Sequence, residues 1–331
     1  QEAYKPGWQG DFYTSVSVGR LFGELLAFQF AEWLDATCGV QNAGCDAPQI
    51  VEAGAHDGGL ACDILGWLRE FRPGLFSRIQ YAIVEPSPRR QEWQLRALTG
   101  FGEKVRWHAD LVSPGLSSVA GVIFSNELLD AMPVHRLGWD AGTKKWFEWG
   151  IALEGDRFAW TRMESAHVSR LAPCVSGELL AVLPDGFSTE VCPAAVDWWQ
   201  RAASVLHCGK LLTLDYGLGN EEFFLPHRRE GTLRAYRQHQ VTDDLLGNPG
   251  EQDLTAHVNF TTIQAAGETA GLTTECLTTQ SQFLVRIAEK IWRGKEGFGE
   301  WNTDRLRQFK TLTHPEHLGR SFRVLIQSCA R

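Results

Sequence analysis

The chain of 331 residues is 44% hydrophobic and 22% charged, with 33 glycines and a net charge of −8 at neutral pH. That apolar fraction, without a glycine period, excludes collagen and low-complexity disorder, and a core of this size needs no disulfide or metal staple. The acidic balance argues against a nucleic-acid partner, which wants a basic footprint, and leaves open a cationic one such as an arginine-bearing protein segment.

Leu21, Phe22, Leu25, Leu26, Phe28, Phe30, Trp33 and Leu34 recur at helical spacing and predict an apolar helix that packs on more than one neighbour. A loop is expected over residues 39–48. Strands and helices then alternate: strand 49–53, helix 60–71, strand 79–84, helix 91–98, strand 105–109 and strand 121–125. This rhythm implies a parallel sheet with right-handed crossovers.

The rhythm breaks near residue 138, where Trp146-Phe147-Glu148-Trp149 and Phe158-Ala159-Trp160 flank Gly155-Asp156 as a hairpin. A second hairpin is expected to turn at Pro184-Asp185-Gly186. Pro193 opens a helix running to His207, with Gly209 placed to close it. A strand is expected at 211–214 and a polar, glycine-punctuated lid at about 218–257. Helix 263–270, strand 274–277, helix 304–312 and strand 322–327 complete the chain. The expected fold class is α/β, a doubly wound Rossmann-like sheet with helices on both faces and an inserted subdomain. Residues 1–137 hold the first half of the sheet, 138–208 the insertion and 209–331 the second half.

The cysteines, at 38, 45, 62, 174, 192, 208, 276 and 329, form no CxxC pair and no cluster with zinc spacing. They suit a reducing compartment, and no metal is expected. No run of about 18 apolar residues is present, so no membrane insertion is expected. The cytoplasm is the expected location, or the mitochondrial matrix if a piece preceding Gln1 has been removed.

Ligands of open α/β sheets bind beyond the C-terminal ends of the strands. The first strand ends in Glu52-Ala53-Gly54-Ala55-His56-Asp57-Gly58-Gly59, where glycines let the backbone approach a ligand and the helix start offers free N–H groups. The second ends in Glu85-Pro86-Ser87, whose carboxylate suits the two hydroxyls of a ribose, with Ser87 also a natural helix cap. The third ends in Asp110-Leu111, an acid and an apolar flank for an adenine. The fourth ends in Asn126-Glu127-Leu128-Leu129-Asp130. Together these tips point to an adenosyl ligand. A dinucleotide fingerprint would need glycine where His56 stands, and no Lys or Arg is close enough to help with a pyrophosphate. The pattern suits S-adenosylmethionine better, with Glu52 attracting its ammonium. Methyl transfer needs groups that orient the acceptor, so Asn126 and Glu127, then Asp130, are the candidate catalytic residues.

Gly10-Asp11-Phe12-Tyr13-Thr14-Ser15 with Phe22-Gly23-Glu24 resembles the start of the MidA family of class I S-adenosylmethionine-dependent methyltransferases, which includes the mitochondrial complex I assembly methyltransferases. Tyr81-Ala82-Ile83-Val84-Glu85, the stretch from Ser125 to Val134, Leu214-Asp215-Tyr216-Gly217, Gly231-Thr232-Leu233-Arg234-Ala235-Tyr236-Arg237 and the segment from Asp253 to Phe260 carry the resemblance onward. The resemblance implies that Glu52, Gly54, Gly58, Glu85, Asp110 and Asn126 surround S-adenosyl-L-methionine, with Thr14, Gly23, Glu24, Ala55, Ser87 and Leu111 completing the cofactor set. It also implies that Arg234, Tyr236, Arg237, Asp253 and His257 face the site. The substrate it implies is a protein arginine, and it implies a homodimer. The family usually has glycine where this chain has His56. The alternative expectation is an assembly chaperone that binds the cofactor or a client with little turnover.

Overall fold

The computed structural model describes residues 14–39, 47–163, 168–173, 175–237, 240–242, 244–294 and 297–329. Residues 10–13 of the leading motif, Cys45 and Cys174 lie outside them. Two compact units divide the described chain: 14–128, 198–216 and 264–329 in one, 129–197 and 217–263 in the other.

The larger unit is built on strands β1 (Gln49–Ala53), β2 (Gln80–Val84), β3 (Val105–His108), β4 (Val119–Asn126), β5 (Leu206–Leu218), β6 (Thr273–Thr279) and β7 (Phe322–Cys329). Their order in the sheet is β6-β7-β5-β4-β1-β2-β3. The pairs β1–β2, β2–β3, β1–β4 and β4–β5 are parallel, and β7 runs antiparallel to both β5 and β6. β1 and β4 are almost wholly buried, which is why they read as apolar runs rather than alternating patterns.

Helices α1 (Leu21–Gly39), α2 (Gly59–Phe71), α3 (Pro88–Ala97), α4 (Phe260–Thr269), α5 (Gln280–Arg293) and α6 (Thr303–Thr313) clothe the sheet. Along β7, Val324 and Ile326 join the core shared with α1, α2 and α5. The next residue, Gln327, faces the opposite side, accepting from Trp199 Nε1 at 2.7 Å and donating to Gln264 O at 2.9 Å. Helices therefore lie on both faces. In α1, Leu25, Leu26, Phe30 and Leu34 are fully buried, each contributing about 1.5–3 kcal/mol relative to exposure.

Several expectations are corrected. The turn at Pro184 to Gly186 does not close a hairpin: helix Gly177–Val182 precedes it, and strand Ser188–Val191 pairs with His135–Asp140. Turn chemistry is local, but the pairing partner is not. Gly209 closes no helix; helix Pro193–Val205 ends earlier and Gly209 lies within β5 opposite Gly121. A Cβ on Gly209 would sit 1.9 Å from Gly121 O, so the glycine is there for backbone approach. The amphipathic helix α5 had no counterpart among the predicted elements.

The second unit carries a sheet ordered Arg157–Met163, Lys145–Glu154, His135–Asp140 and Ser188–Val191, so the tryptophan-rich hairpin forms as expected. Its core gathers Trp139, Leu183, Phe187, Leu218, Phe223 and Phe224. Within residues 218–257 the chain forms a further small sheet, Arg234–Arg237 between Gln240–Thr242 and Asp253–Thr255. Among the described residues no helix is long and apolar enough to cross a membrane.

Candidate active site

The strand order reverses between β1 and β4, and the tips of β1, β2, β3 and β4 lie side by side in the larger unit. Beyond β1, the backbone is left-handed at Gly54 (φ 75°), His56 (φ 45°) and Gly58 (φ 87°), the cap of α2. Gly58 N donates to Ala55 O at 2.7 Å, closing the loop. A Cβ at Gly54 would lie 2.9 Å from Leu128 Cδ1, so both conformation and contact call for glycine there. His56 adopts its conformation at a cost of about 1–2 kcal/mol. Its imidazole is 38% exposed, with Nδ1 3.9 Å from Asp57 Oδ1. That neighbour is the main influence holding the Asp57 carboxyl below its ordinary value, against partial burial and with help from the Gly59 N–H.

Glu52, on β1, is 2% exposed and accepts the Tyr81 hydroxyl at 2.6 Å. Burial pushes its carboxyl up to about 7; the Tyr81 hydrogen bond works against that rise and the Asp57 charge adds to it. Glu85, at the tip of β2, is equally buried. Its Oε1 accepts from Ser87 N at 2.9 Å and its Oε2 from Gln94 Nε2 at 3.4 Å. Ser87 caps α3 through its hydroxyl, as its position before Pro88 suggested. Beyond β3, exposed Asp110 orders its own loop by accepting from Val112 N at 2.9 Å, and Leu111 is buried.

At the tip of β4, Glu127 is left-handed (φ 53°), and its Oε1 accepts from Ser15 N and from Asn126 Nδ2, each at 3.1 Å. Asn126 Oδ1 is buried and accepts no hydrogen bond among the described residues. Leu128 N donates to Oδ2 of fully buried Asp215 at 3.1 Å, which ties this tip to that of β5. Thr14 is engaged locally with Ser17. Gly23 packs α1 on α2, where a Cβ would meet Asp63 Cβ at 2.6 Å, and Glu24 pairs with Arg305 at 2.7 Å.

Asn126 and Glu127 thus come together with Glu52, Gly54, Ala55, Gly58, Glu85, Ser87, Asp110 and Leu111 in the larger unit, whereas Asp130 belongs to the second. There the Asp130 carbonyl accepts from Ala256 N at 3.0 Å. Arg234, Tyr236, Arg237, Asp253 and His257 also lie in that unit, with Tyr236 opposite Asp253. Burial, then the Arg228 and Arg234 charges, lower the His257 imidazole to about 3, so it stays neutral. Sequence reasoning assigned no role to Ser15, Gln94 or Asp215. Asp215 had a signal in ending an apolar strand and Ser15 in closing the leading motif, but neither contact was readable from them.

These donors and acceptors fit an adenosyl compound without phosphates. The loop after β1 is close-packed and carries no cation, the two buried carboxylates suit hydroxyl and ammonium groups, and Asn126 Oδ1 lacks a donor among the described residues.

Comparison with known proteins agrees. The family model of S-adenosyl-L-methionine-dependent methyltransferases matches residues 25–278. The mitochondrial protein arginine methyltransferase NDUFAF7 of Xenopus tropicalis is 29% identical, over 96% of this chain and 75% of its own length. The corresponding homolog of Drosophila melanogaster is 27% identical with the same coverage. A superfamily member from Burkholderia thailandensis, described as a methyl transferase candidate and crystallised with S-adenosyl-homocysteine, has a TM-score of 0.80 at 28% identity, covering 97% of this chain and 79% of that one. The chain therefore belongs to the family of S-adenosyl-L-methionine-dependent methyltransferases, and S-adenosyl-L-methionine is its cofactor.

Proposed function

We propose that the chain methylates an arginine side chain of a protein substrate. Two relatives bear the name of that activity. The observation that carries the proposal is the carboxylate of Glu127, held at the tip of β4 by the Ser15 N–H and the Asn126 amide. A guanidinium is recognised by a fixed carboxylate through charge-assisted hydrogen bonds, and Glu127 can orient it and accept its proton.

The cofactor supplies a methyl group on positively charged sulfur. In this account Glu85 takes the ribose hydroxyls, and Asp110 and Leu111 border the adenine. The N–H groups of the loop from Gly54 to Gly58 take the carboxylate of the methionine end, and Glu52 takes its ammonium. Asn126 Oδ1 offers an acceptor beside Glu127. Gly23 and Glu24 serve as packing positions of α1.

The test is transfer of a labelled methyl group from S-adenosylmethionine to the proteins of a cell extract, followed by acid hydrolysis. Label in methylated arginine is the expected result. Label in lysine, or in no protein, overturns the arginine assignment.

A further inference from the structure

We propose that Gln94 is a positioning residue for cofactor binding: its amide sets the Glu85 carboxylate to receive the ribose hydroxyls and ties it to the glycine loop. The proposal rests on Glu85 being the ribose ligand. Helix α3 has a polar sequence, and the one residue it buries is Gln94, which is 0% exposed. Burying a primary amide is costly unless its groups are hydrogen-bonded, and here three contacts satisfy it. Oε1 accepts from Trp107 Nε1 at 2.9 Å; Nε2 donates to His56 O at 3.0 Å and to Glu85 Oε2 at 3.4 Å.

The orientation of that amide is not arbitrary. An indole nitrogen can only donate, so Trp107 fixes Oε1 toward β3 and leaves both N–H groups for the loop after β1 and the tip of β2. One side chain thereby links three neighbouring strand tips. The lone-pair count at Glu85 matches a ribose. A carboxylate has about four acceptor positions; Ser87 N and Gln94 Nε2 occupy one on each oxygen. One position per oxygen remains, the arrangement that two adjacent hydroxyls require.

The test compares S-adenosyl-L-homocysteine with its 2′-deoxyadenosyl counterpart, titrated by calorimetry into the wild-type protein, Gln94→Met and Trp107→Phe. The wild type is expected to prefer the ribosyl ligand by about tenfold, the scale of one hydrogen bond to a charged group. Gln94→Met is expected to cut that preference to about threefold or less, and Trp107→Phe to an intermediate value. The preference is a ratio within one protein, so general destabilisation does not move it. A preference kept intact in Gln94→Met, whatever happens to the absolute affinities, overturns the proposal while leaving Glu85 as the ribose ligand. Should Gln94→Met fail to fold, an unchanged preference in Trp107→Phe overturns it equally. No preference in the wild type overturns the assignment of Glu85, and the role of Gln94 with it.

Discussion

At the tip of β2 each oxygen of Glu85 has an N–H donor, from Ser87 and Gln94, whereas one strand away Glu52 receives a phenol hydroxyl and has its carboxyl pushed up to about 7. Both glutamates are 2% exposed, so burial alone does not separate them. The donors do. Glu85 has its plane fixed before a ligand arrives. Glu52 keeps a proton near neutrality and must release it to face a cation. On the proposed assignment, the nucleoside end of the site rests on fixed geometry, and the methionine and methyl-transfer end works through charge.

The largest effect is expected where that charge meets the acceptor. Glu127→Gln keeps an oxygen for the Ser15 and Asn126 donors but loses the negative charge. Methyl transfer should fall about a hundredfold or more, while affinity for S-adenosylhomocysteine stays within about threefold. Parallel transfer assays and calorimetry check this, and equal losses in both would break the comparison.

Next comes Glu52→Gln. The folded carboxyl is raised from 4.5 to about 7, so the wild type's contribution is complete below pH 4.5 and is lost as pH rises through about 7. Relative to the wild type, the variant should therefore gain about 3 kcal/mol across that window. Urea unfolding at a series of pH values reads the difference, and a flat difference removes the charge-based account of this end.

Tyr81→Phe sharpens the same point. Deleting the donor at 2.6 Å should cost about 2 kcal/mol above pH 7, where Glu52 is charged, and about 1 kcal/mol near pH 5. A cost that does not vary with pH would disconnect the phenol from the carboxylate's charge.

The smallest effect is expected at His56→Gly. Relief of the left-handed side chain, about 1–2 kcal/mol, is partly offset by glycine's unfolded-state entropy of about 0.5–1 kcal/mol. Stability should therefore rise by only about 1 kcal/mol, and affinity for S-adenosylhomocysteine should stay within about threefold. A tenfold gain in affinity would show that the imidazole obstructs the site.

Much of this was legible in the sequence because apolar strands end abruptly in chemistry. Glu52, Glu85 and Asn126 each stand at or beside the end of an apolar run, and the sheet that aligns them follows from alternating elements. Gln94 was not legible, since it is one polar residue among many on a polar helix and its burial depends on Trp107 and the loop after β1. Ser15 was hidden for a related reason: its backbone N–H meets Glu127 across 112 positions of sequence. Helix α5 is different. Phe283, Leu284, Ile287, Ala288 and Ile291 repeat at helical spacing behind a Thr279–Gln282 capping box, so its signal was present and went unassigned. The hairpin expected at Pro184 to Gly186 failed in its first arm, which is helix Gly177–Val182, and in its pairing, because the partner of Ser188–Val191 is His135–Asp140, far back in the chain.

On the proposed assignment, the strand tips of the larger unit hold the cofactor, with Glu85 as its fixed acceptor. Calorimetric titration of S-adenosylhomocysteine into the wild type and Glu85→Ala tests it most directly. Saturable one-to-one binding by the wild type and about a hundredfold weaker binding by the variant are expected, the scale of two hydrogen bonds to a charged group. Equal affinities would contradict it.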